Sequence, residues 1–275
     1  MEILKTEINI GIEKPFTFLH MSDTHLTLAD NRDDDRKIEL GKNRLPGFPQ
    51  AEEVLEQATA YAKKTGYTVC HTGDLMDFVS WANIDRAKAF CDEVDVFMAA
   101  GNHEFSLYVG EAWEDADYRN QSLDKVQAAF PNDIRFACRG VNGVNLVAID
   151  NGYYLFEQFQ LDNLKEVAKQ GKPMILFMHT PLYTPEFYDF SMQRNPDSAY
   201  LMATPEEKMQ WYSDHRYRQQ KADAVTQEAY DYIMSEPLIK ALIVGHNHRN
   251  YENLLRPGVP QIMTGCTDLR EITVR

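Results

Sequence analysis

Residues 94–104 read VDVFMAAGNHE. A short apolar run with β-branched and aromatic side chains breaks abruptly into Gly-Asn-His-Glu. Such a run, Val94–Ala99, has the length and composition of a buried strand, and the polar cluster after it falls at the strand's carboxyl end. The same grammar recurs along the chain. Phe16–Met21 precedes Asp23-Thr-His25, and Tyr67–His71 precedes Gly73-Asp74-Leu-Met-Asp77. Pro173–Met178 precedes His179-Thr-Pro181, and Leu238–Val244 precedes Gly245-His246-Asn-His248. Val144–Ile149 is a sixth strand of this kind, followed by Asp150 and Asn151.

Between these runs the apolar spacing becomes helical. Ala51–Thr65 ends in Lys-Lys before Gly66, a good helix stop, and Ile84–Cys91, Ser122–Phe130, Phe159–Lys169 and Ala222–Met234 also read as helices. Strands alternating with helices give an α/β layer architecture. Ile134–Ala137 and Val144–Ile149, joined by RGVNG, suggest a hairpin, which makes the sheet mixed. Gln261–Arg275 reads as strands around a Gly-containing turn. Two stretches break the pattern: Ala29–Pro49, expected as a charged loop with a DDD run, and Tyr183–Lys221, aromatic-rich and without a clean period. The second is long enough to be a lid or substrate insertion. There is no internal repeat and no linker-like composition, so residues 1–275 are expected to form one domain.

Composition narrows the function. The 275 residues carry 28 Lys+Arg against 42 Asp+Glu, a net charge of −14. That balance disfavours long nucleic acids, whose binding depends on cationic side chains. Four scattered cysteines without a CxxC pair fit reduced thiols rather than a disulfide scaffold. No apolar stretch approaches the ~18–20 residues of a membrane span. MEILKTEINIGIEKP has no apolar segment behind a basic start. A cytoplasmic protein without membrane contact is expected, with its oligomeric state left open.

The chemistry lies in the five polar clusters. Carboxyl ends of strands are where ligand sites gather in α/β sheets. Imidazole with carboxylate suits Mn, Fe or Zn. Asp23/His25 and His246/His248 share i, i+2 spacing, which on an extended strand end sends both side chains to one side.

In their order, D-x-H, G-D-x-x-D, G-N-H-E, a single His after a strand and G-H-x-H resemble the calcineurin-like metallophosphoesterases. The resemblance runs from Asp23 to His248. It implies two mixed β-sheets packed face to face and flanked by helices, with a two-metal site at one edge. By the same resemblance Asp23, His25 and His248 hold one divalent transition metal ion, and Asn102, His179 and His246 hold the other. Asp74 bridges them; two dications ~4 Å apart repel by roughly 17 kcal/mol at an effective dielectric of 20. His103 donates to the phosphoryl or leaving-group oxygen, and Asp77 orients it, as a carboxylate commonly fixes an imidazole's tautomer. Asn102 and His103 are expected at the substrate, and Asn151, on its position after Asp150 alone, is a further candidate there. The implied reaction is hydrolysis of a small phosphomonoester or phosphodiester by a metal-bound hydroxide. A non-catalytic scaffold on the same fold is the alternative. Degenerate scaffolds typically lose ligands, and none is missing here. The Tyr of a purple phosphatase is not expected, because Asp77 stands at its position. Arg32, Arg36, Lys37 and Lys42 are candidate phosphate-binding cations after Asp23/His25, as are Arg194, Arg216 and Arg218 in the long segment. His20, His71 and His215 are expected to be structural or solvent-facing.

Overall fold

The computed structural model describes residues 1–110 and 115–275. Among these residues eleven strands form two mixed sheets. The first sheet has five strands, β1 (Ile3–Ile8), β2 (Phe16–Met21), β3 (Val69–His71), β4 (Val96–Met98) and β11 (Leu269–Val274), in the order β1-β11-β2-β3-β4. The second has six, β5 (Phe136–Val141), β6 (Val144–Ile149), β7 (Met174–Met178), β8 (Ile239–Val244), β9 (Tyr251–Arg256) and β10 (Val259–Met263), in the order β5-β6-β7-β8-β10-β9.

Alternation along the strands sorts the apolar side chains into three layers. Ile175 and Phe177 of β7 face the first sheet, with Phe18, Phe97, Ile243 and Ile272 in the same cluster. Phe177 meets Phe18 and Phe97 edge-on at 5.3 and 5.9 Å between centroids. Leu176 and Met178 face the other way, under Leu161, Leu164 and Ile233 of helices 158–168 and 224–235. On the far side of the first sheet, Leu19, Met21 and Met98 pack under Val54, Leu55 and Phe90 of helices 51–65 and 81–93. Two sheets pressed together and capped by helices therefore follow from strands that are apolar on both faces.

β2, β3 and β4 are mutually parallel, as are β6, β7 and β8. Their carboxyl ends therefore emerge along one edge, and all five polar clusters lie there.

Several expectations change. Residues 29–49 are not one loop, because Asp35–Arg44 form a helix. Asp34 caps it by accepting from Lys37 N, and Lys42 and Arg44 close its last turn. The DDD run is this helix start. The 134–149 hairpin is tighter than RGVNG suggests: strand β5 continues to Val141, and only Asn142-Gly143, both with positive φ, make the turn. The tail strands β10 and β11 do not pair with each other, since they belong to different sheets. Residues 183–221 carry helices at Pro185–Met192 and Asp214–Gln220. Phe187, Tyr188, Leu201, Met202, Met209 and Tyr212 are buried against the second sheet's outer face. No helix among the described residues is long and apolar enough to cross a membrane.

Candidate metal centre

Each strand end turns sharply before delivering its side chains. Asp23, His25, Asp74, His246 and His248 all have positive φ, between 53° and 73°. The i, i+2 pairs are thus not extended, as the sequence spacing assumed. Both members of each pair sit in left-handed backbone, a conformation costing about 1–3 kcal/mol per non-glycine residue and concentrated at functional sites.

Glu104 ties the turns together. Its buried carboxylate accepts from the backbone N–H groups of Asp74 and Gly101 at 2.7 Å and of Leu75 at 2.7 Å. Burial, and then the Asp74 carboxylate, push the Glu104 carboxyl up to about 7.

The side chains converge in three groups whose ligand-type atoms lie within 4.8 Å of one another: Asp23–His25–His248, His25–Asp74–His103 and Asp74–His179–His246. Asp74 Oδ2 stands between the halves, 3.2 Å from His179 Nε2 and 3.6 Å from His25 Nε2. Asp23 Oδ1 is 3.5 Å from His248 Nε2, and its carboxylate accepts from His246 N.

Hydrogen-bond partners fix the imidazole tautomers. His179 Nδ1 donates to the Thr72 carbonyl at 2.7 Å, and His25 Nδ1 donates to the Asp77 carboxylate at 2.8 Å. In the neutral rings both Nε2 atoms therefore present lone pairs inward, the state in which histidine ligates. They face other imidazole nitrogens: His25 Nε2 lies 3.1 Å from His248 Nε2, and His179 Nε2 lies 2.9 Å from His246 Nδ1. Nitrogens crowded at that distance beside two buried carboxylates fit divalent cations as common partners. His246 is held from behind by Tyr154, whose hydroxyl is 2.6 Å from Nε2.

His103 Nδ1 donates to the Asp77 carbonyl at 2.7 Å, with the Asp77 carboxylate 3.3 Å away. Burial opposes a proton there, but the charge of Asp74 and the bond to Asp77 raise His103 to about 10. Burial likewise opposes charge at Asp74, yet His179 and His103 hold its carboxyl well below the usual range. His246 is shifted the other way, lowered by burial and then by His179.

Two partners of the cluster come from the segment read as a loop. Arg44 grips the Asp77 carboxylate through Nε at 2.6 Å and Nη2 at 2.8 Å. Phe48 stacks on the His25 ring at 4.1 Å. The one available signal for Arg44 was a helix pattern in Asp35–Arg44, obscured by low hydrophobicity. Arg32 instead pairs with Asp30 and Asp85, Arg36 covers the Tyr108 ring at 4.0 Å, and Lys42 lies 3.7 Å from Glu39. None of Arg32, Arg36, Lys37 and Lys42 lines the cavity over the cluster.

That cavity, about 720 Å³, is open to Asp74, Asn102, His103, His246 and His248. Asn151 does not line it. It is buried, its Oδ1 accepts from His179 N and Thr180 N, and its amide donates to Thr180 O. This corrects its expected place at the substrate: Asn151 shapes the His179 loop. His20 and His71 are buried and hydrogen-bonded through both ring nitrogens. His215 lines the cavity, as do Tyr200 and Arg216 from the long segment, while Arg194 and Arg218 do not.

A two-sheet sandwich with Asp and His side chains gathered at one strand edge fits a metal-dependent hydrolase, and the family match makes its substrates phosphoric esters. Residues 16–250 match the family model for calcineurin-like phosphoesterases, and the chain belongs to that family. Similar folds include a dimetal phosphatase from Danio rerio (14% identity, TM-score 0.53, covering 92% of this chain and 88% of that one). A purple acid phosphatase from yellow lupin, Lupinus luteus, is similar at 14% identity and TM-score 0.53, with 92% of this chain matching 44% of that chain. A search of curated proteins gave no significant match.

Proposed function

We propose that this phosphoesterase hydrolyses a small phosphomonoester or phosphodiester using two divalent transition metal ions, Mn, Fe or Zn. The reading places one ion with Asp23, His25 and His248 and the other with Asn102, His179 and His246, with Asp74 shared. The observation that carries it is the convergence of His25 Nε2 and His179 Nε2 on Asp74 Oδ2, each ring being held from behind by a hydrogen bond at Nδ1. Two divalent ions bound there supply Lewis acidity toward the phosphoryl oxygens and activate water.

The chain's own groups do the rest. Asp77 and Thr72 O keep His25 and His179 in the ligating tautomer. His103 keeps Nδ1–H on the Asp77 carbonyl, and in the doubly protonated imidazolium that Asp74 and Asp77 favour, Nε2 carries the second proton, the one given to the leaving oxygen. Asp77 thus serves His103 through its carbonyl at closer range than through its carboxylate. In this reading residues 183–221 form a substrate-facing wall of one domain spanning 1–275. The cytoplasmic assignment rests on the sparse, scattered cysteines.

Metal analysis of the purified protein, with turnover of nitrophenyl phosphate and its diester, tests the proposal. His103→Asn is expected to lower kcat by about 10²–10⁴-fold on alkyl phosphates, and much less on nitrophenyl phosphate, whose leaving group needs no proton. Bound metal should be unchanged. Loss of metal in that variant would make His103 a ligand instead. Absence of bound metal and of turnover in the wild type would favour the scaffold.

A further inference from the structure

The described part of the cavity wall differs in charge from the rest of the molecule. Across the chain acidic residues outnumber Lys and Arg by 42 to 28. Among the described lining residues the one carboxylate is Asp74, already part of the metal cluster, whereas Arg216 and Arg249 both line the space. Arg249 directly follows His248 and has no ion-pair partner among the described residues.

Arg216 is held in place. Its guanidinium lies over the Tyr200 ring at 4.8 Å, Nη1 donates to Gln219 Oε1 at 2.9 Å, and Nε is 3.5 Å from Asp197. Tyr200 OH in turn donates to Asp197 at 3.2 Å. Nη2 takes part in none of these contacts. A guanidinium fixed by stacking, with a donor left over, loses little freedom on meeting an anion. The pair with Asp197 is solvent-exposed on the acid's side, so it competes weakly.

The platform is also aimed. Tyr200 has φ +56°, and its ring meets the His246 ring edge-on at 5.8 Å. Its segment is pinned to the His179 loop, Met202 N donating to Pro181 O at 2.8 Å and Tyr183 N donating to Met202 O at 3.0 Å. Arg216 therefore stands one aromatic layer from His246.

Resting on the phosphoesterase reading above, we infer that Tyr200, Arg216 and Arg249 form a subsite for a second anionic group, a carboxylate or phosphoryl, so that the substrate is a small phosphoester carrying a negative charge beyond the scissile phosphate. The tyrosine face bounds the space between the two anions, and the arginines take the distal one. An acidic protein would otherwise repel such a substrate more than a singly phosphorylated neutral one.

Inert phosphonates test this without turnover. The Mn-loaded protein is titrated calorimetrically with benzylphosphonate, 4-carboxybenzylphosphonate and p-xylylene bisphosphonate. At least one of the two dianchored ligands is expected to bind about tenfold tighter than benzylphosphonate, the usual scale of a charge-assisted hydrogen bond. Whichever is tighter identifies the anion. Arg216→Gln should bring the ratio most of the way to one, and Arg216→Gln with Arg249→Gln should abolish it. Arg194→Gln, in the same segment but off the cavity, should leave the ratio alone. Equal dissociation constants for all three ligands, or a preference that survives the double substitution, overturns the subsite. If that result accompanies turnover of nitrophenyl phosphate, the subsite fails alone. If no phosphonate binds and no phosphoester is hydrolysed with Mn, Fe or Zn, the phosphoesterase site fails and takes the subsite with it.

Discussion

Asp77 serves three partners with one carboxyl group and its own carbonyl. The carboxylate holds His25 Nδ1 and accepts two bonds from Arg44, while the carbonyl receives His103 Nδ1. Burial opposes its charge, but the Arg44 hydrogen bonds and the two imidazoles hold the carboxyl far below the usual range. Arg44 therefore reaches the candidate metal cluster through Asp77 and His25. Arg44→Met should weaken Mn binding by about tenfold, the lower end for groups behind a ligand, measured by competition with a chromophoric chelator. Unchanged affinity would reduce Arg44 to a surface contact. The acids and histidines of this site are visible in the sequence because each sits in a short polar cluster. Arg44 and Phe48 are not, because their roles depend on a helix that folds back over His25 from a stretch with little apolar patterning.

The turns between elements impose the tightest constraints. A Cβ built on Gly101 would overlap Asp74 Oδ1 and come within 2.7 Å of Asp74 N, and one on Gly73, at φ +95°, would come within 2.8 Å of His179 Nδ1. The β3 and β4 turns touch through backbone, with Glu104 clamping both. Gly101→Ala should therefore yield a folded protein, by circular dichroism, that has lost at least tenfold in Mn affinity; native affinity would show that the turns can separate freely. Among elements, helix 51–65 and strands β2 and β6 have the boundaries that periodicity predicts. β1 and β9 were missed because they lie at sheet edges with mixed polar and apolar residues. Helices 185–192 and 214–220 were missed because their length is two turns, too short for a period to show.

Over the whole molecule, the layer between the sheets holds the two halves of the site in register. Asp23, Asp74 and Asn102 ride on one sheet, and His179, His246 and His248 on the other. Phe177→Ala, which empties the contact with Phe18 and Phe97, should cost about 3–5 kcal/mol of stability, read from denaturant unfolding; a cost below about 1 kcal/mol would mean the sheets repack without it. Metal should bridge the halves as well. At a hundred times its Kd, Mn is expected to add about 2.7 kcal/mol to stability, seen as a higher Tm that a chelator reverses. A Tm indifferent to both would count against binding at this cluster.

The sequence by itself determined the α/β alternation and the strand-end position of the acids and histidines that are candidates to hold metal, because apolar runs and polar clusters are local patterns. Tertiary structure decided which strands share a sheet, sending the neighbouring β10 and β11 apart, and which groups meet. Asp74 lies beside His179, Arg44 beside Asp77, and Asn151 is spent on backbone rather than substrate. Those contacts join residues far apart in the chain, and their geometry is set by sheet packing and left-handed turns that no local pattern encodes.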